Sequence, residues 1–413
     1  MHALKHKLGH LFTSALFLFP GSRGDKYHNG NGDPSIEPRM SPRFKLRVAT
    51  LSSTAALGGL ALGTATYKGH VPLAIAPGTT GVGMRTAPLS MSAVPPDSEM
   101  SGRVLSIHRY PVKSCGGEVL EDVALSRLSA LPGDRQYLWV DAEGKFITQR
   151  PYESRQGNNG NGVPKLSTID ASISPDGSTL RLNAPDAAPL EPLLVPRDVG
   201  GMRREVTLFS GRAQVLDQLE AAGDWFRRFC GVEGACLVKA DEEASTLADD
   251  WRESRAAFQR VAFEGEEEVP RTIPLDDGGT ILIVTQAALD ELNARLAAKG
   301  LPPVSMNRFR PNFVLDELPA HAEDQWKVVR LGEVELRVER PCTRCSTVLV
   351  DQEAGKSDEV NWLSKVLAKY RLSRPDPKYD SFDLQGTKFG CYCTPLNSGT
   401  VKRGDKVEVV EWK

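Results

Sequence analysis

The sequence predicts an α+β protein that is mostly β: two barrel-like β domains carrying a few helices. Three observations lead there. Short strand-like runs recur between clusters of turn residues. A few stretches carry helical periodicity, each bounded by a glycine or proline stop. No sustained alternation of strands with long helices suggests a parallel sheet with crossovers.

The elements follow in order. Pro95-Pro96 closes an N-terminal tail, and Val104-Leu105-Ser106-Ile107 opens the folded pattern. Gln136 to Val140 and Lys145 to Thr148 read as strands, with Asp141 to Gly144 as turn chemistry between them. Gly157 to Gly162 is a low-complexity loop within an insertion at 156–162. Short strands continue to about Leu216. Gln218 to Phe229 reads as an amphipathic helix with Leu219, Ala222, Phe226 and Phe229 on one face and Gly231 as its stop. The acidic stretch 264–268 reads as a solvated loop.

The second half opens with Ile281 to Val284, a buried-strand run. Thr285 can cap a helix that carries Leu289, Leu292 and Leu296, and Gly300 and Pro302 end it. Strands are expected at Phe313–Leu315, Lys327–Leu331, Val334–Val338 and Ser346–Val350, with Gly332-Glu333 turning a hairpin. A third helix fits Trp362 to Tyr370. Thr400 to Val410 reads as a hairpin about Gly404-Asp405. The resulting division is a tail at 1–98, a first β domain at 101–240 and a second at 260–413.

Composition narrows the function. The chain has 413 residues, 40% hydrophobic and 25% charged, which suits a soluble globular protein of about two domains. A net charge of -2 argues against a general nucleic-acid binder. Seven cysteines, an odd number in a long chain, fit reduced thiols with chemical roles better than a disulfide framework. Residues 1–98 hold ten Lys/Arg against four Asp/Glu, the bias of an organelle-targeting segment. Val48 to Tyr67 is free of charge and long enough to span a bilayer, but it is rich in Thr, Ser and Gly. A removable targeting segment, a membrane anchor and a disordered tail all fit this region.

Chemistry centres on Pro341-Cys342-Thr343-Arg344-Cys345. Two thiols sit three residues apart, with a guanidinium beside the second that favours its thiolate. A redox dithiol, half of a zinc site with Cys391-x-Cys393, or a single ligand to a soft metal would each look like this. The C-x-C spacing is tight for structural zinc. From residue 101 onward there are two histidines, His108, read as a strand residue, and His321, read as a surface loop residue. Neither lies in a zinc-hydrolase motif, and no P-loop, dinucleotide fingerprint or nucleophile elbow is present. Cys230 and Cys236 read as buried apolar residues.

Cations cluster at predicted strand ends. Tyr110 to Gly117 supplies Lys113, Ser114 and two glycines; Asp134-Arg135 and Thr148-Gln149-Arg150 add guanidiniums; Arg308-Phe309-Arg310-Pro311-Asn312 adds two more and an amide. Arginine offers forked donors suited to phosphate, and glycine lets backbone approach an anion closely. Together they read as a pocket for a phosphorylated ligand.

These residues carry a family resemblance. Tyr110-Pro-Val-Lys-Ser-Cys115, Asp134-Arg135, the Thr-Gln-Ala-Ala-Leu-Asp-Glu-Leu-Asn block at 285–293, Arg308-Phe-Arg-Pro-Asn312, Cys342-Thr-Arg-Cys345 and Gly399-Thr-Val-Lys-Arg-Gly-Asp405 occur in order. The chain resembles MOSC-domain proteins of the mitochondrial amidoxime reducing component type from about 101 to 412. The resemblance implies a MOSC-associated N-terminal β domain followed by a MOSC β-barrel, with a molybdenum cofactor (molybdopterin) between them. It implies Cys345 as the metal ligand and as a catalytic residue. Lys113, Ser114, Arg135, Arg310, Asn312, Thr343 and Arg344 would bind the cofactor, and Asp277 matches a catalytic aspartate near the metal. Cys342 would be a buried supporting thiol.

The implied reaction is reduction of N-hydroxylated substrates (amidoximes, hydroxylamines), with electrons from a b-type cytochrome and its NADH-dependent reductase, in the mitochondrion. A cofactor carrier or sulfur-transfer module is the alternative. Pyridoxal phosphate binding is a term attached to the wider family. No pyridoxal-phosphate-dependent desulfurase segment precedes residue 101, which is the expectation against a full cofactor sulfurase. No Cys-rich ferredoxin segment follows residue 413, which is the expectation for a separate electron donor. Ala288 and the insertions at 156–162 and 264–268 depart from the family pattern.

Overall fold

A computed structural model describes residues 100–126, 131–151, 162–185, 190–208, 211–241, 280–358, 360–373 and 386–413. Asp277, the uncharged window 48–67, the acidic stretch 264–268 and all of the 156–162 insertion except Gly162 lie outside the described residues.

The first half contains β1 (Ser101–Arg109), β2 (Glu118–Leu120), β3 (Asp122–Leu125), β4 (Tyr137–Val140), β5 (Asp170–Ile173), β6 (Thr179–Asn183), β7 (Leu193–Pro196), β8 (Arg203–Leu208), β9 (Gly211–Asp217), α1 (Glu220–Cys230) and β10 (Cys236–Ala240). The second half contains β11 (Ile281–Thr285), α2 (Gln286–Ala297), β12 (Phe313–Asp316), β13 (Trp326–Leu331), β14 (Val334–Thr343), β15 (Val350–Asp351), β16 (Lys356–Ser357), α3 (Trp362–Leu367), β17 (Leu372–Ser373), β18 (Gly386–Pro395), β19 (Gly399–Lys402) and β20 (Lys406–Trp412). The mostly-β architecture expected from the sequence is what the chain adopts.

Seven strands close a barrel in the order β11-β12-β1-β20-β13-β14-β18, with β18 returning to β11. Six come from the second half. The seventh is β1, paired to β12 on one side and β20 on the other. Ile107, Ile281, Phe313, Trp326, Leu336 and Cys393 fill its interior. β11 is buried at all five positions because both faces are covered. Ile281 and Ile283 enter the barrel, while Leu282 and Val284 meet α2, α3, Phe309 and Phe389 outside it. A strand covered on both sides reads as an unbroken apolar run.

The first half builds a sheet in the order β4-β10-β9-β8 and a smaller one in the order β5-β6-β7. α1 lays Ala222, Phe226 and Phe229 against Trp139, Leu237 and Leu180. The Trp139 and Phe226 rings stack with centroids 4.2 Å apart. Gly231 ends α1 in the left-handed conformation at φ 74°.

Several expectations are corrected. Leu219 precedes α1 and is exposed, because the helix begins one residue later and turns it outward. Lys145 to Thr148 makes isolated bridges to Val140, Thr207 and Gly162 in place of a regular strand. Ser346 to Leu349 is a turn of 3-10 helix; the apolar run there is short, and period alone does not separate the two. Lys402 to Asp405 does turn the chain, but β19 pairs with β3 and β20 with β1 and β13, so the strands on either side of the turn are not partners. Thr285 stands at the helix start without capping it; its hydroxyl donates to Glu323 and accepts from the His321 amide. His321 is buried, not at the surface. Cys230 and Cys236 are only partly buried.

Candidate cofactor site

β14 alternates buried and half-exposed residues along all ten positions. Its register against β18 shifts between Val338 and Arg340 and again between Pro341 and Thr343. Proline cannot donate to the ladder and is tolerated at such irregularities. The strand therefore ends on a kink that separates the two thiols. Cys342 stays buried; Cys345, at the start of the 3-10 turn, is exposed.

Arg344 fixes this corner. It donates to the Cys342 sulfur at 2.8 Å and to the Phe309 carbonyl at 2.8 Å, and its backbone amide donates to the Thr387 carbonyl at 2.7 Å. Cys345 Sγ lies 3.2 Å from the Thr347 hydroxyl. Burial is the largest influence on the Cys345 thiol and opposes its ionisation. Arg150, Thr347 and Arg344 together outweigh it and hold the thiol below its ordinary value.

The expected cofactor-binding residues of the two halves meet through direct contacts. Arg135 donates to Asp134, to Asn312 Oδ1 at 3.1 Å and to the Arg310 carbonyl at 3.1 Å. Arg310 donates to the Cys115 carbonyl at 2.5 Å. The Tyr110 ring contacts both guanidiniums, its centroid 4.3 Å from Arg310 and 4.7 Å from Arg135. Lys113 is buried, 5.7 Å from the Phe146 ring centroid. Ser114 Oγ lies 3.5 Å from Thr148 Oγ1. Thr343 ends β14 opposite Lys388.

Backbone strain gathers here. Five non-glycine residues among those described have positive φ, and three of them are Ser114 at 66°, Arg135 at 49° and Arg310 at 53°. Such positions cost about 1–3 kcal/mol each and persist where the surroundings impose them, which is commonly at ligand sites.

Asn312 has a different place from the one expected. Its Nδ2 donates to the His108 carbonyl and to Asp134, and its Oδ1 accepts from the Leu282 amide and from Arg135. Two donors and two lone pairs are all in use. It is a strut between halves that holds Arg135, with no capacity left for a ligand.

Sequence reasoning noted Arg150 without assigning it, and missed the amide clip beside it. Gln352 donates to Gln149 Oε1 at 2.7 Å, and both side chains are buried. Their separation of 203 residues leaves no local signal. Arg308 is buried and bonded to Asp358 at 2.7 Å and to the Val348 carbonyl at 3.3 Å, so it anchors the turn after Cys345. Cys391 and Cys393 face the barrel core, and no group of three or more metal-ligating side chains occurs among the described residues.

The donor set suits a polyanion that also offers a soft metal. Arg135, Arg310, Arg344 and the buried carboxylate Asp134 all act electrostatically on Tyr110, and Lys113 is buried two residues beyond Pro111. Arg344 Nε and the Tyr110 hydroxyl are buried without a hydrogen-bond partner. They are two of sixteen such atoms among the described residues, and a buried polar atom without a partner marks a place where one is expected.

Known proteins point the same way. The family model "MOSC N-terminal beta barrel domain" matches residues 101–233, and "MOSC domain" matches residues 270–408. "Mitochondrial amidoxime-reducing component 1" of Mus musculus is 28% identical over 311 residues, covering 74% of this chain and 82% of that protein. Its Homo sapiens counterpart is 29% identical over 315 residues, with the same coverage. "Molybdenum cofactor sulfurase" of Oryza sativa subsp. japonica is 25% identical over 279 residues, covering 65% of this chain and 31% of that protein. The chain belongs to the MOSC-domain proteins, and the amidoxime-reducing components are among the proteins it is similar to.

Proposed function

We propose that this chain is a molybdenum-cofactor-dependent oxidoreductase that reduces N-hydroxylated compounds such as amidoximes and hydroxylamines. The observation that carries the reading is Cys345: an exposed cysteine whose ionisation is favoured by Arg150 of the first half and Arg344 of the second. Soft thiolates favour thiophilic metals, and a pterin dithiolene already brings two sulfurs, so one protein cysteine completes the set. The bound cofactor would supply the two-electron oxygen-transfer chemistry.

The chain's own residues do the rest. Cys345 holds the metal. Lys113, Arg135, Arg310 and Arg344 neutralise phosphate and dithiolene charge, while Ser114 and Thr343 offer hydroxyls. Asn312 keeps Arg135 in place, and Asp277 orients substrate or relays a proton. Arg150 favours the Cys345 thiolate from the first half. The names of the relatives support the amidoxime substrate class and a mitochondrial location. Electrons would come from a b-type cytochrome and its NADH-dependent reductase.

The likeness to the rice sulfurase favours one second reading, a module that carries the cofactor or its sulfur without turnover. Steady-state NADH oxidation with benzamidoxime, a b-type cytochrome and its reductase separates the two. The oxidoreductase reading expects turnover that requires all components and disappears in Cys345→Ser. Cofactor-loaded protein without turnover would reject it in favour of the carrier.

A further inference from the structure

We propose that the Tyr110 hydroxyl is a ligand-binding group, donating its proton to an anionic acceptor on the cofactor held in this site. The inference rests on the reading above and extends it to a residue that the family motif did not assign.

The ring and the hydroxyl of Tyr110 have separate explanations. The ring lies under both Arg310 and Arg135, 4.3 and 4.7 Å from its centroid. Cation–π contact accounts for an aromatic side chain there, and phenylalanine would serve equally. The hydroxyl is buried and bonds to nothing in the chain. Arg310, Arg135 and Arg344 act on it electrostatically; guanidiniums have no lone pair to accept its proton, and none of the three donates to its oxygen. Asp134 is the nearby carboxylate, and its oxygens are engaged: Oδ1 accepts from the Tyr110 amide at 2.7 Å, and Oδ2 accepts from Arg135 and from Asn312 at 3.2 Å.

Protonation settles which partner would suit. Burial is the strongest influence and raises the phenol above its ordinary value, against the pull of Arg310 and Arg135. The group is therefore a donor, enclosed by cations, in need of an acceptor. An anion entering this cluster meets both needs. A phosphate oxygen or a dithiolene sulfur has the required chemistry.

Tyr110→Phe keeps the ring and deletes the hydroxyl, so it separates the two roles. Wild type and variant are purified as the full chain, loaded with molybdopterin, and followed for pterin release by the fluorescence of its oxidised form. Their cofactor-free forms are melted in parallel. The variant is expected to release pterin roughly tenfold faster or more, the effect of losing a charge-assisted hydrogen bond. Its cofactor-free form is expected to melt about 2–4 °C higher, since an unsatisfied buried group has gone. Equal release rates overturn the proposal. So does a cofactor-free melting temperature that is unchanged or lower, which would show the hydroxyl to be partnered within the protein. A wild type that retains no pterin overturns the cofactor reading itself, a result distinct from both.

Discussion

Glu323 is fully buried at the turn after the left-handed His321, with Thr285 donating to it at 3.3 Å. Burial, reinforced by Asp324, pushes its carboxyl up to about 7. Burial also drives His321 down to about 3, with Arg371 adding to the effect. Arg371 donates to Asp324 at 2.7 Å, and Cys391 Sγ lies 3.6 Å from the same carboxylate. The signs of the two titrations are opposite. Between its ordinary 4.5 and about 7, Glu323 holds a proton in the folded chain that the unfolded chain has lost, so its contribution falls as pH rises through that window. Neutral His321 contributes fully above 6.5, and that stability is lost as pH falls toward about 3. Glu323→Gln is expected to remove the first slope and raise stability at pH 8 by up to about 3 kcal/mol, with little change at pH 5. Urea midpoints at the two pH values check this; a parallel shift at both would contradict it.

At the scale of elements, the barrel and the clamp depend on a few backbone positions. Gly390 sits within β18 at φ 81°, where a Cβ would lie 2.6 Å from the Ile283 carbonyl. Gly390→Ala meets both a forbidden conformation and the neighbouring strand, and is expected to cost about 2–4 kcal/mol, read by chemical denaturation. Asn312→Ala leaves the Leu282 amide and the His108 carbonyl without their side-chain partner and Asp134 and Arg135 short of one bond each. An expected loss of about 2–4 kcal/mol, together with weaker pterin retention, distinguishes a strut from a surface amide.

The elements show why some of this was legible and some was not. The all-apolar run of β11, the Leu289-Leu292-Leu296 face of α2 and the Gly231 stop are local signals, and each element formed where its pattern lay. The pairings of β19 with β3 and of β20 with β1 were illegible because those partners come from residues 101–125, nearly three hundred positions away. Cations near strand ends were visible as residue types. That Asn312 is saturated, that Tyr110 is orphaned and that Gln149 meets Gln352 depend on contacts between halves, which no window of sequence contains.

Over the described residues, the two halves share a barrel, and the candidate site draws residues from both. β1 lies between β12 and β20, so a chain beginning after Arg109 would leave two unpaired barrel edges. Such a truncation is expected to aggregate or melt without cooperativity; a monomeric, cooperatively folding fragment would contradict the shared-barrel architecture. The contacts from Arg135 to Asn312, Arg310 to Cys115 and Gln352 to Gln149 flank the segment that carries Cys345. Cofactor binding at such a seam stabilises both halves at once by linkage.

The most direct measurement is molybdenum and pterin stoichiometry in purified wild type beside Cys345→Ser and Cys342→Ser. The account predicts one molybdenum and one pterin per chain in the wild type, loss of the protein–metal sulfur bond in the X-ray absorption spectrum of Cys345→Ser, and retention of that bond in Cys342→Ser. Stoichiometric zinc without molybdenum, or a metal–sulfur bond that disappears with Cys342 and survives without Cys345, would contradict it.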